Sequence, residues 1–218
     1  MTVLSALALS AGFLTSLGAL WTVHVVSVQQ SGRGSQLSLV VCGGFGATVA
    51  LLAYLALHDL YVTSAALAAG TAVAAAVTTD LRFGQLADLT SLIVAICALA
   101  AAPRLTVGLG YLEMVISAGL AAGILALAGL YGRLRRGEPG LGAGDVLLAG
   151  ALGLWCPVVT ATLGVALGAG LTLIAGVVLK ARPGTRLPFA PGLAAGFILA
   201  FILEKLTCSR RALAPAFQ

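Results

Sequence analysis

The sequence predicts an all-α fold, a polytopic bundle of transmembrane helices built from about seven or eight hydrophobic segments. Three observations carry that prediction. Of the 218 residues, 60% are hydrophobic and only 9% are charged, where a soluble domain carries roughly a quarter charged residues. The mean hydropathy is +1.09. The charge-poor runs repeatedly reach the length of about 20 apolar residues that one helical crossing needs. This composition cannot make a wetted surface, so a cytosolic globule, a disordered tail and a fibrous repeat are excluded, and any function must sit in the bundle or in its short loops.

Breaks in the apolar pattern divide the chain into segments at 3–28, 37–57, 60–79, 86–102, 107–131, 145–155, 157–179 and 189–206. The first is expected to be a retained helix rather than a cleaved signal peptide, because no Lys or Arg precedes Arg33 to form a basic leader region. The second begins beyond the Gly-rich break around Arg33, and the third follows His58-Asp59. The fourth closes at Pro103 and the fifth at the cluster Arg133, Arg135 and Arg136. The sixth, 145–155, is too short to span alone. It reads as a helix that starts inside the bilayer and breaks at Trp155-Cys156-Pro157, which is tolerated when the freed backbone is buried in protein. The seventh ends before Lys180 and the eighth follows Pro188. Small residues such as Gly119, Gly123, Gly164 and Gly168 recur at spacings that let helices approach closely, a packing signal first.

Twelve Lys and Arg against seven Asp and Glu leave a net charge of +5. No basic patch with interleaved aromatics is present, so the basic residues are read as setting topology and no nucleic-acid partner is expected. Placing Arg133, Arg135 and Arg136 in the cytoplasm brings Arg33, Arg82, Lys180, Arg182 and Arg186 to the same side, eight in all, against four (Arg104, Lys205, Arg210 and Arg211) opposite. The N-terminus is then outside, and Asp80 and Asp145 both fall at the cytoplasmic membrane face. The four cysteines (Cys42, Cys97, Cys156 and Cys208) form no C-x-x-C pair and read as small apolar core residues.

Ionisable groups in a membrane are expensive, so each acid needs a reason. Asp59 and Glu138 fall in loops, and Glu204 beside Lys205 is expected to be solvated or ion-paired at a helix end. Glu113, early in its helix, is read as a structural hydrogen-bonding group. Asp80, Asp88 and Asp145 remain. Asp145 closes Leu141-Gly142-Ala143-Gly144-Asp145 and opens an apolar helix. It reads either as an N-cap or as a carboxylate beside which Gly142 and Gly144 leave room for an extended substrate backbone. Asp80 ends its segment at the same face, followed by Leu81-Arg82, and its plainer reading is an ion pair with Arg82. Two carboxylates at a semi-buried site cannot both ionise easily and share one proton. One can act as base on water while the protonated partner donates to a peptide carbonyl.

Three stretches together resemble the type IV prepilin peptidases, membrane aspartic proteases of the G-x-G-D type. Asp80-Leu81-Arg82-Phe83-Gly84-Gln85-Leu86-Ala87-Asp88-Leu89-Thr90 is similar to that family's D-x-R-x-x-x-I-P-N-x-L-T. Gly142-Ala143-Gly144-Asp145 through Gly153 is similar to G-x-G-D-x-K-L-x-x-A-x-G, and Leu187-Pro188-Phe189-Ala190-Pro191-Gly192-Leu193-Ala194-Ala195-Gly196 to P-F-G-P-x-L-A-x-G. The departures are Ala87 and Asp88 for Pro-Asn, Leu147 for Lys and Ala190 for Gly.

The resemblance covers roughly 60–206. It implies N-terminal helices at 1–59, a peptidase-like membrane domain at 60–206 and a short basic tail at 207–218. It further implies Asp80 and Asp145 as the catalytic pair, with Gly142, Gly144, Arg82, Pro188, Phe189 and Pro191 lining the site. The implied substrate is a prepilin or pseudopilin whose short basic leader ends in Gly, cleaved at the cytoplasmic face of the inner membrane, with the lipid bilayer and components of a pilus or secretion assembly as further partners. The paired C-x-x-C region of the larger, methylating members is not in this sequence, so the likeness is to short peptidase-only members such as those of Tad-type pilus systems. No metal, cofactor or S-adenosylmethionine is expected. Two other functions fit the acids. A small proton-coupled transporter would place them near the bilayer midplane, and an inactive scaffold of a pilus assembly would account for Leu147 and Ala87.

Overall fold

The computed structural model describes residues 59–83, 88–104, 110–136, 141–178, 180 and 187–213. The segments expected at 3–28 and 37–57 lie outside the described residues, as does Glu138. The described residues form six α-helices: α1 (Leu60–Phe83), α2 (Asp88–Ala101), α3 (Tyr111–Arg136), α4 (Ala143–Gly153), α5 (Val158–Val178) and α6 (Ala190–Leu213), with a single 3₁₀ turn, Ala102–Arg104, after α2. Three stretches are long and apolar enough to cross a bilayer: Tyr61–Leu81, Tyr111–Arg135 and Val158–Val178. Two further apolar helices, Ala143–Gly153 and Ala190–Glu204, are shorter.

α1 starts where the Asp59 carboxylate accepts the N–H groups of Tyr61 at 2.8 Å and Val62 at 3.4 Å, an N-cap that Arg104 joins with an ion pair at 3.6 Å. The run of buried alanines that follows, among them Ala68, Ala72, Ala75 and Ala76, gives the helix its propensity and lets neighbours press against its backbone. Thr71, Thr78 and Thr79 interrupt that apolar run without loss, because each hydroxyl donates to a carbonyl three or four residues back at 2.9–3.0 Å.

α4 is the expected half-helix. At 11 residues it rises about 16 Å, half of the roughly 30 Å hydrocarbon core. Its end is closed by Leu154 N–H to Gly150 O, Trp155 N–H to Leu152 O and Cys156 N–H to Gly153 O, which satisfy the backbone donors at the break. Pro157 lends its carbonyl to Ala161 N–H at 2.8 Å and starts α5 without needing a donor of its own.

Packing sets the order of the helices. α1 and α2 run antiparallel, with Val62 near Ala101 at one end and Val73 near Val94 higher up. α3 and α4 run antiparallel, Gly129 against Leu141 and Gly153 against the Ser117-Ala118 backbone. α5 and α6 do the same over a longer stretch: Gly164 lies under the Phe197 ring, Gly168 against the Leu193 backbone and Gly192 against Thr172. A Cβ on Gly196 would collide with the backbone of Gly168, which cannot swing aside. Gly196→Ala is therefore expected to cost about 1–3 kcal/mol, read as a lower melting temperature in detergent. Gly119→Ala and Gly123→Ala, where nothing lies within 4 Å, are expected to leave the melting temperature unchanged or raise it. Of the four glycines expected to mediate packing, Gly164 and Gly168 do so and Gly119 and Gly123 meet open space.

A main apolar cluster draws Ala76, Leu125, Leu148, Val165, Leu193 and Phe197 from five helices. Cys156 sits in it and Cys97 in a neighbouring cluster, both buried and unpaired, as small core residues. These pairings gather the C-terminal ends of α1, α3 and α5 and the N-terminal ends of α2, α4 and α6 at one end of the bundle.

Several sequence expectations are corrected in detail. α1 runs to Phe83 instead of ending at residue 79, so Asp80 is inside the helix. α3 continues to Arg136, taking Arg133 and Arg135 out of the expected connection, because Arg is a good helix former and Arg135 stacks over the Tyr131 ring at 5.3 Å. Glu204 is not at a helix end: α6 runs on to Leu213, and Glu204 accepts the Thr160 hydroxyl at 2.7 Å.

Candidate active site

Asp80 lies one turn from the end of α1. Its carboxyl is buried, 7% exposed, and Oδ2 accepts the backbone N–H of Ala190 at 2.8 Å. Ala190 is the first residue of α6. The chain places this donor by local rules. Pro188 sits just outside the helix, and Pro191, second in it, lacks an N–H that the first turn could not have used. The unpartnered N–H groups of a helix N-terminus carry partial positive charge and suit a carboxylate.

Asp145 reaches the same end on α4. Gly142 occupies the N-cap with extended backbone, φ −73° and ψ 147°, and Asp145 is the third helical residue, so the N-cap expectation for Asp145 is corrected. Its Oδ2 accepts the Gly142 N–H at 3.2 Å, folding the side chain back over the helix start. A Cβ on Gly142 would stand 3.3 Å from that oxygen, so a larger residue crowds the carboxylate. Among the described residues, Oδ1 of Asp145 is buried with no hydrogen-bond partner. Asp145 lies outside the three spanning stretches, and its pKa is pushed up from 3.8 to about 6, first by burial and second by the negative charge of Asp80. The two carboxyls, 65 positions apart in sequence, thus stand in each other's field.

The other expected site residues fall around them. Gly144 is the second residue of α4, and its lack of a side chain keeps the helix start narrow. Pro188 and Phe189 form the entry to α6 and Pro191 its first turn. Arg82 is in the last turn of α1, but its side chain lies outside the described residues, as do residues 84–87. Asp88 opens α2 with its side chain exposed. Leu147 is 51% exposed two residues after Asp145. Sequence reasoning missed Ala190. Its contribution is a main-chain N–H, so Ala in place of Gly keeps the donor; the signal was the pair of prolines that stops and starts the chain around it.

The site is sunk relative to α3. Beyond the contact of Gly129 with Leu141, α3 continues for about seven residues, roughly 10 Å. That extension exposes Leu130 and Leu134 with Arg133 and Arg135, the mixture expected where hydrocarbon meets headgroups.

The fold is that of a polytopic helical membrane protein, with Asp145 in the first turn of one helix and Asp80 against the start of another, close enough to feel each other's charge. The chain matches the profile of the type IV leader peptidase family over residues 67–203. It belongs to that family, and is thereby a membrane aspartic endopeptidase that removes the leader sequences of prepilins. No curated protein and no solved structure matches the chain.

Proposed function

We propose that Asp80 and Asp145 are the catalytic pair of this peptidase and share one proton between them. The observation that carries the proposal is Asp145 itself, a carboxyl with one buried oxygen unpartnered and its charge opposed by Asp80. One carboxylate takes a proton from water as its oxygen bonds to the scissile carbonyl carbon, and the partner gives its proton to the carbonyl oxygen. The substrate is a prepilin or pseudopilin with a short basic leader ending in Gly, and its hydrophobic helix lies in the bilayer. Gly142 and Gly144 leave room for its extended backbone, and Pro188, Phe189 and Pro191 hold the entry of α6 against Asp80. Arg82 is the cation of the first-aspartate segment. The site faces the cytoplasm in a bundle of seven or eight crossings, and components of a pilus or secretion assembly are its further partners.

The test is co-expression of the full chain with a tagged prepilin from the same genome, with leader loss read as a gel shift. A shift that depends on this chain is expected. No processing of several prepilins by folded protein would turn the reading toward a scaffold.

The pH dependence has a defined sign. The pair must keep one proton to act as donor, so cleavage is expected to decline as pH rises through about 6. Asp145 also links pH to stability. Its folded value lies above the unfolded 3.8, so the stability it contributes is fully present below about pH 4 and lost as pH rises through 6. Asp145→Asn is therefore expected to melt higher than wild type above about pH 7, with the difference closing under acid conditions. An equal offset at every pH would show that Asp145 is not held protonated.

A further inference from the structure

Asp80 and Asp145 are chemically alike and held differently. The Ala190 N–H reaches Asp80 at 2.8 Å inside the protein. Asp145 receives one longer contact, 3.2 Å from Gly142, and keeps Oδ1 buried without a partner. A carboxyl oxygen that accepts N–H groups is best used as the charged form, since hydrogen bonds to a charged acceptor are about twice as strong as neutral ones. A buried oxygen with no donor nearby is where a proton costs least and is free to be given away.

We propose, resting on the peptidase reading above, that the main-chain N–H of Ala190 is a positioning group that keeps Asp80 as the ionised member of the pair, making Asp80 the base and Asp145 the acid. The step balances. A water proton passes to Asp80 while the water oxygen bonds to the carbonyl carbon, and the carbonyl oxygen takes the proton of Asp145. The gem-diol then collapses: the C–N bond breaks, the leaving nitrogen takes the proton from Asp80, and one hydroxyl returns its proton to Asp145.

Other charges at this end are few among the described side chains. α2 brings exposed Asp88, α4 brings Asp145, and α3 brings Arg133 and Arg135 in its last turns, with Glu113 at its opposite end. α5 has none between Val158 and Val178 but is followed by exposed Lys180, and α6 has none before Glu204. Among the described residues, the donor that meets the Asp80 carboxylate is the main-chain N–H at the start of α6.

The sequence offers a clean probe, because Phe-Ala occurs once in the chain, at Phe189-Ala190. Labelling with carbonyl-¹³C phenylalanine and ¹⁵N alanine yields one amide signal from the full-length protein in nanodiscs. A downfield amide proton is expected for wild type, moved upfield in Asp80→Asn, whose acceptor is uncharged, lost in Asp80→Ala and kept in Asp145→Asn. A signal that ignores Asp80→Asn overturns the proposal without any activity measurement, and stays informative even if the substrate reading fails.

The second arm is kinetic. Ala190→Pro removes the N–H at a helix position that accepts proline, while adding two ring carbons at a buried site. It is expected to lower kcat by roughly tenfold to a hundredfold and to move the acid limb of the pH profile up by about one pH unit, with the alkaline limb in place. Ala190→Gly, which retains the N–H, is expected to keep the wild-type acid limb. Movement of the alkaline limb instead would make Asp80 the acid, and an unshifted profile in Ala190→Pro would leave the N–H without a role. Where Ala190→Pro does not fold, the amide signal decides alone.

Discussion

Asp80→Asn and Asp145→Asn are each expected to reduce leader cleavage by a factor of about 10² to 10⁴, with the protein still present and folded in the membrane. The two side chains act on one proton and one water, so the double variant is expected to be no worse than the poorer single one. Asn is close to Asp in shape, and at position 80 its amide oxygen can still accept the Ala190 N–H that Oδ2 accepts now. The loss therefore reports on the acid–base chemistry and not on the seat of α6. Quantified gel shifts of a co-expressed prepilin check this, with melting curves of each variant as the folding control. Turnover retained near the wild-type rate in either variant would remove that residue from the pair.

Replacement of Trp155 by Ala is expected to destabilise the bundle by about 3–5 kcal/mol, the range for truncating a large aromatic in a packed site. Trp155 packs against all four apolar clusters of the described bundle, and its Nε1–H donates to Val94 O at 3.2 Å. It stands where α4 stops short of a full crossing, so no continuing helix secures that end, and the indole ties it to α2. Removing the ring also frees the far end of the element that carries Asp145, so cleavage is expected to fall with stability. Trp155→Phe keeps most of the ring contacts and loses the hydrogen bond, at about 1 kcal/mol. Thermal melting in detergent measures both, and an unchanged melting temperature in Trp155→Ala would show that the half-helix is seated by something else.

Most of the bundle was legible because apolar length and its interruptions report directly on helices that must satisfy their backbones internally. The break at Trp155-Cys156-Pro157 and the short α4 came from that pattern. Boundaries failed where a polar residue was taken as a stop although a distant group satisfied it. Asp80 continues α1 because α6 supplies its hydrogen bond, and Glu204 continues α6 because the Thr160 hydroxyl answers it. Of the two readings of Asp145, the N-cap falls three positions too late, since a carboxylate folding back onto Gly142 and one capping forward look the same in a Gly-rich run.

By itself the sequence determined the membrane class, the half-helix, the two aspartates and the three motifs that mark the family. Tertiary structure alone decided what those aspartates meet. Composition and periodicity are local, and they name residue types. The meeting of Asp80 with α6 spans 110 positions, and the group it meets is a main-chain N–H that every residue but proline possesses. No residue letter encodes such a donor. Only the packing of α1, α4 and α6 at one end of the bundle aims it at a carboxylate and leaves Asp145 Oδ1 buried and unanswered.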